Sequence, residues 1–320
     1  MAEMKMKIYG CGGAGINIAS IFANNPTEEG VAEINVSAID TSRSNINTAI
    51  EEAQCYVLPD VDGSGKLRKQ NHQEISAAVQ GILVQQPAED FNIVVFSAAG
   101  GSGSVIGPLL LSELLKRKKP VVAVVIGSEE SFITAQNTLN TLKSLEAIAQ
   151  QNQAPVVMVY AHNRKDTRRS EIDTVVRFAI GSLAVLASGK IAEMDSQDIA
   201  NFLQYQRVTS APARLATLNI VREPADLVGI KNVIALANVF SEADDSVLPI
   251  TPEYVATGYS KVKLTSGKSL HYAINIDDTT LIFKNMKELV EDLDTVRRAT
   301  TFAPVGLGSD DDVTSDGLVL

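Results

Sequence analysis

Residues 91–117, FNIVVFSAAGGSGSVIGPLLLSELLKR, pass from β-branched apolar residues into a loop of small residues and then into a Leu-rich helical pattern. A buried strand that ends in small residues at a helix start suits an anion. Unpaired helical N–H groups and the positive end of the dipole point at the loop, and missing side chains admit a phosphate. Ala99, Gly100, Gly101, Ser102, Gly103 and Ser104 therefore form a candidate phosphate cradle. The bland alternative is a tight strand-to-helix turn that needs glycine only for its backbone conformation.

A second glycine loop, Gly10-Cys11-Gly12-Gly13-Ala14-Gly15-Ile16-Asn17, follows the first strand pattern at once. Within it, Gly10-x-Gly12-x-x-Gly15 nearly matches the dinucleotide-binding fingerprint, and Asp40 stands where an acid takes a ribose hydroxyl. An NAD-dependent oxidoreductase is thus a rival reading. Against it, the dinucleotide fold does not require a second phosphate cradle. The second half also offers no evident acid–base pair for hydride transfer, and His72, His162 and His271 are isolated. A P-loop at Gly63-Ser64-Gly65-Lys66 fails on spacing, because Asp60 replaces the first glycine and Leu67 the magnesium-binding hydroxyl.

The elements that must hold these loops alternate. Strands are expected at Met6–Tyr9, Ile34–Ile39, Cys55–Leu58, Ile93–Phe96, Pro120–Ile126 and Ala154–Tyr160, the last leading to Asn163 at its end. Helical spacing falls at Ile16–Phe22, Gln73–Leu83 and Phe132–Ala149. Apolar strands separated by helices imply a parallel sheet covered on both faces, with ligands at its carboxyl edge. From Ser170 to Ser188 a helix is apolar almost all round, as one buried between two bodies would be. Beyond Gln206 strands are expected at Leu215–Val221, Val233–Phe240, Tyr259–Leu264 and Leu270–Ile276. Thr265-Ser266-Gly267-Lys268 reads as a hairpin turn between the last two, and a helix is expected from Thr280 to Ala299. The expected fold is α/β: a Rossmann-like parallel-sheet domain (1–169), a long central helix with its following loop (170–205), a smaller α+β C-terminal domain (206–300) and an acidic tail (301–320).

Composition sets limits. The 320 residues carry a formal net charge of −10, which argues against a general nucleic-acid binder, and 45% hydrophobic content supports a core. Cys11 and Cys55 lack metal spacing and suit a reducing compartment. No apolar window reaches the ~20 residues of a membrane span, and MAEMKMKIYG lacks a cleavable signal, so a cytoplasmic protein is expected.

Three loops taken together resemble the tubulin/FtsZ superfamily. Gly10 to Asn17 resembles its first nucleotide loop. Ala99 to Ser104 resembles the tubulin signature GGGTGSG, with Ala99 for the first glycine, Ser102 for the threonine and Val105 for the last glycine. Ala192-Glu193-Met194-Asp195-Ser196-Gln197-Asp198 is similar to the family's N-x-D-F-A-D loop, with Glu193 in place of the asparagine. The resemblance implies a GTPase that uses GTP/GDP and Mg2+ and polymerises with itself. Carried over, Gly12, Gly13, Ala14 and Asn17 hold phosphate and base, Asp40 sits near phosphate or magnesium, and Glu130 takes the ribose, with Glu129 one residue away. Asn163 and Asp173 read guanine; Glu171 is the alternative to Asp173 if the register slips. Lys66 and Arg68 either lean over the phosphates or form a solvated loop.

Chain direction places the aspartates. The helix beginning near Ser170 starts at the ligand edge, and its 19 or so residues, at ~1.5 Å each, end roughly 28 Å away. Asp195 and Asp198 therefore serve another molecule's nucleotide, if subunits stack head to tail into a filament. In that scheme Asp198 orients or deprotonates the attacking water and Asp195 assists; the alternative is that both cap a helix starting near Ser196. The short acidic tail is most like that of the phage-encoded tubulins of the PhuZ type. The resemblance implies that Asp310, Asp311 and Asp312 dock on a basic patch of the next subunit, with Arg214, Arg222, Arg297 and Arg298 as candidate receivers. It also implies a polymer that organises or positions phage DNA in the host cytoplasm; from charge and hydropathy, no membrane and no direct nucleic-acid contact are expected.

Overall fold

The computed structural model describes residues 4–23, 30–46, 48–241, 246–262 and 268–299. The expected tail, with Asp310, Asp311 and Asp312, lies outside them, as do residues 263–267 of the expected hairpin.

Six parallel strands form the first part of the sheet: β1 (Lys5–Cys11), β2 (Glu33–Asp40), β3 (Cys55–Val57), β4 (Phe91–Ser97), β5 (Val121–Ser128) and β6 (Val156–Asn163). Their order is β3-β2-β1-β4-β5-β6, with Gly10 paired to Val95 and Phe96 to Val125. The β-branched runs are buried on both faces, which is why they lack a polar alternation. Alternate residues enter opposite cores. Ile8, Ile93 and Val124 pack toward helices α1 (Gly12–Ala23) and α5 (Arg169–Leu186). Tyr9, Val94 and Val125 pack toward α2 (His72–Gln85), α3 (Gly103–Lys116) and α4 (Phe132–Asn152). The sheet then continues through β8 (Leu215–Val221), β11 (Leu270–Asn275), β9 (Ala235–Phe240), β10 (Tyr254–Ser260) and β7 (Ile191–Ala192). The join is the parallel pairing of Val156 with Leu215.

The C-terminal half of α5 is the part buried all round. Ile180, Leu183 and Leu186 are fully enclosed, whereas Val175, two turns earlier, is half exposed. Two bonds fasten that end: Ala32 N–H donates to the Ala184 carbonyl, and the Tyr272 hydroxyl of β11 donates to the Ser182 carbonyl. A helix of 18 residues carries the chain about 27 Å. After β7 comes α6 (Ser196–Leu203), and α7 (Asp277–Ala299) packs on α4.

The expected hairpin is corrected. β10 spans Tyr254–Ser260 rather than Tyr259–Leu264, and it pairs with β9 in parallel and with β7 antiparallel. β9 lies between β10 and β11, so the two strands flanking the Ser-Gly-Lys segment are not neighbours. Among the described residues no helix is long and apolar enough to cross a membrane.

Candidate nucleotide-binding cleft

Both glycine loops leave parallel neighbours, β1 and β4, and each feeds a helix directly. α1 starts at Gly12, one residue beyond β1, and α3 starts at Gly103. The loops touch. Gly12 has φ +70°, and a Cβ there would lie 2.8 Å from the Gly103 nitrogen; a Cβ on Gly103 would lie 2.6 Å from the Cys11 carbonyl oxygen. Only two glycines permit this approach, which sets two helix N-termini side by side on one cleft.

The cleft has two halves, cavities of about 510 and 330 Å³ that share Ala14, Lys66, Ser97 and Gly100. The larger half takes in Gly12, Gly13, Gly101, Ser102, Gly103 and Asp40. Two of its lining serines, Ser64 and Ser102, belong to a chain of hydroxyls that runs on to buried Thr41. Ser102 Oγ lies 2.6 Å from Thr41 Oγ1 and 2.9 Å from Ser64 Oγ, joining the loops that follow β4, β2 and β3. Asn137 of α4 binds the same loops from behind, its amide donating to the carbonyls of Lys66 (2.8 Å) and Ala99 (3.2 Å). The Ser104 hydroxyl donates to the carbonyls of Gly100 and Gly101, at 2.8 and 2.9 Å, and so stiffens the loop instead of facing the cleft. Val105 packs in the core and lines a separate cavity. Its side chain therefore does not narrow the cleft between the two glycine loops.

Asp40 is buried, and its oxygens are engaged locally. One accepts from Thr41 N–H at 2.7 Å, the other from the Asn45 amide at 2.6 Å. Burial holds its carboxyl above the usual range, against the pull of the Asn45 and Thr41 hydrogen bonds. A carboxylate held this way does not reach out to a ribose diol, as the dinucleotide fingerprint would require. Asp62 is the other acid of this half. Among the described residues no three metal-ligating side chains cluster. A divalent ion here would thus need phosphate oxygens and water for most of its shell, as Mg2+ commonly does.

The smaller half holds Asn17, Glu130, Asn163, Asp173 and Arg169. Asn163 Oδ1 is buried with no hydrogen-bond partner among the described residues. An orphaned acceptor in a pocket calls for a donor, and the N1–H and N2–H of guanine are such donors. Of the two adjacent glutamates, Glu130 faces the cavity and is bound by Arg169 at 2.7 Å. Glu129 turns instead to His162 (3.4 Å) and to Lys165 N–H (3.2 Å). Asp173 lines the cavity, and Glu171 is not among its lining residues. Lys66 lines both halves. Arg68 does not enter the cleft; its guanidinium donates to the Ser104 carbonyl and to Ser144.

Asp195 and Asp198 stand elsewhere. Asp195 caps α6, accepting from the N–H groups of Gln197 (2.8 Å) and Asp198 (3.0 Å), while Asp198 accepts from Asp195 N–H at 3.0 Å. This reciprocal box fixes both side chains. Tyr254 of β10 donates to Asp198 Oδ1 and to its carbonyl, each at 3.3 Å. Asp195 lines a cavity with Phe91, the first residue of β4, and Pro120, which precedes β5. Those positions mark the amino edge of the sheet, opposite the cleft.

The expected arginine receivers do not form one patch. Arg297 and Arg298 both bind Asp294 at 2.7 Å, and Arg297 lies over Phe132 at the start of α4. Arg214 pairs with Glu146, about four turns further along that helix. Arg222 covers Phe178 of α5.

Residues that the sequence does not single out include Asn45, Ser64, Asn137 and Arg169. Ser64 carries one signal, its place between two glycines; the others are polar loop or helix residues without a distinguishing pattern.

Comparison with known proteins gives the family. A phage tubulin-like protein of Pseudomonas phage PhiPA3 is 30% identical over 323 residues, covering all of both chains. This chain belongs to the phage tubulin-like proteins. The family model described as "Phage tubulin-like protein, C-terminal domain" matches residues 194–276 of this chain. Its fold is similar to that of TubZ in a protofilament from bacteriophage PhiKZ, with a TM-score of 0.87, 29% identity, and 98% and 99% of the two chains covered. It is equally similar to the phage tubulin PhuZ in its GDP form, with a TM-score of 0.87, 25% identity and the same coverage.

Proposed function

We propose that this phage tubulin binds GTP in the cleft at the carboxyl edge and polymerises head to tail, hydrolysing GTP at subunit junctions. The observation that carries the proposal is the separation of parts. The nucleotide loops and the capped aspartate pair lie at opposite edges of one sheet, so a complete site needs two molecules. The relatives solved as a protofilament and in a GDP form support self-assembly and the nucleotide.

In this scheme Gly12, Gly13 and the Gly100–Gly103 segment offer backbone N–H groups to the phosphates. Asn163 and Asp173 accept from the guanine edge, Asn17 contributes on the first loop, and Glu130 takes the ribose. Mg2+, when bound, would neutralise phosphate charge, held chiefly by phosphate oxygens and water, with Asp40 and Asp62 nearby in this half. Asp198 of the next molecule orients or deprotonates water, and Asp195 assists while holding the start of α6. The reciprocal cap fixes both carboxylates before the junction forms, which favours a preorganised base.

Polymers of this phage protein organise or position phage DNA in the infected cell. The tail, through Asp310, Asp311 and Asp312, docks on Arg297 and Arg298 of a neighbour, the two arginines that share one place. Sedimentation with GTP tests the core of the scheme. Pelleting should begin sharply above a critical concentration with GTP and be weak with GDP. A chain that stays in the supernatant at every concentration would refute it.

A further inference from the structure

We propose that Lys118 and Lys119 carry across the subunit junction the positive charge that the phosphate half of the cleft lacks, which rests on the head-to-tail reading above. Among the described residues lining that half, Lys66 is the one cation, set against Asp40 and Asp62. A triphosphate adds several negative charges, and phosphoryl transfer is accelerated chiefly by neutralising charge at that point. The helix ends of α1 and α3 supply only partial charge.

At the opposite edge, a cavity of about 630 Å³ takes in Asp195 together with the turn that ends α3: Arg117, Lys118 and Lys119. Arg117 is committed, binding Glu113 at 3.1 Å and Gln80 at 2.5 Å. Lys118 and Lys119 have no ion-pair partner among the described residues. Their backbones are nevertheless fixed. Lys118 has φ +56°, its N–H donates to the Leu115 carbonyl at 2.9 Å, and Lys119 N–H donates to Leu114 at 3.0 Å. The other charged groups facing the cavity are Asp195 and Asp90, and Asp90 accepts from Lys5 N–H.

Two compact cations on long stems, anchored on a rigid turn, thus stand beside the acid that would serve the neighbour's phosphates. The arrangement also gives stacking a direction. A chain of net charge −10 repels its copies, yet a phosphate-loaded carboxyl edge meets a basic turn at the amino edge.

The test compares K118Q/K119Q, which keeps the stems and removes the charge, with K118R/K119R, which keeps the charge. Sedimentation in GTP and turnover per sedimented subunit are read across a salt series. The glutamine pair should raise the critical concentration, lower turnover per polymerised subunit about tenfold or more, and flatten the salt dependence. The arginine pair should stay within about twofold of the parent, since it keeps charge but not shape. A glutamine pair with the parent's melting temperature, critical concentration and turnover would overturn the proposal and leave head-to-tail assembly standing. If the glutamine pair melts lower than the parent, K118Q and K119Q singly, each with parental melting, must show the same loss in part; parental turnover in both would overturn the proposal too. If the parent itself neither sediments nor turns over in a concentration-dependent way, the head-to-tail reading fails and the lysine proposal falls with it.

Discussion

Ser102 Oγ lies 2.6 Å from Thr41 Oγ1, and this contact ties the loop after β4 to the loop after β2. With Ser64 at 2.9 Å it joins three loops at the larger half of the cleft into one hydrogen-bonded unit. Ser102→Ala removes both bonds, each worth about 1 kcal/mol. Nucleotide affinity should fall by up to about 30-fold, measured by calorimetry at protein concentrations below assembly. Unchanged affinity would mean that the hydroxyl chain does not hold the cleft.

The two glycine loops should resist substitution where they touch. Gly103→Ala places a Cβ 2.6 Å from the Cys11 carbonyl oxygen, so β1 or α3 must shift. Loss of nucleotide binding and a lower melting temperature are expected. Gly181, inside α5, is the control, because an added Cβ there would meet nothing within 4 Å. Gly181→Ala should stabilise by about 0.5–1 kcal/mol through the unfolded chain. Equal effects of the two substitutions in thermal melting would contradict the close approach.

Asp198 should act in turnover and not in assembly. Asp198→Asn keeps an acceptor for Asp195 N–H and loses the charge. GTP binding and assembly should persist while turnover falls by about 100-fold or more. Tyr254→Phe removes the hydroxyl that donates to Asp198 and should lower turnover about threefold to tenfold without raising the critical concentration. Parental turnover in Asp198→Asn would remove Asp198 from the chemistry.

Asp40 gives a pH signature. Its folded-state pKa is raised by burial, so the folded chain binds that proton more tightly than the unfolded chain does. The ionised form therefore costs stability above the folded value, and the cost vanishes below the unfolded value of about 3.9. Without nucleotide, Asp40→Asn should melt higher than the parent at neutral pH, with the gain fading as pH falls toward the unfolded value. A gain that is independent of pH would mean that charge burial is not its source.

Much of the first part of the sheet was legible because its signals are local. Runs such as Ile93–Phe96 and Val121–Ile126 end in Gly or Ser and are buried on both faces, so each had to be a strand between helices. The order β9 beside β10 was not legible, since a Ser-Gly-Lys segment looks like a hairpin and only distant pairing places β9 between the two strands. In the cleft, glycines announce themselves by what they lack. Asn137 does not, because an Asn inside a helix looks the same whether it meets water or two loop carbonyls. The choice of Glu130 over Glu129 likewise depends on which way a loop turns, and adjacent carboxylates carry no such information.

If one molecule's nucleotide is cut by another's aspartates, hydrolysis requires the subunit junction. GTP turnover per subunit, followed from high dilution upward, tests it most directly. Turnover per subunit should be near zero below a threshold, then rise steeply where sedimentation begins. Turnover per subunit that stays constant down to high dilution would show that each molecule cuts its own GTP.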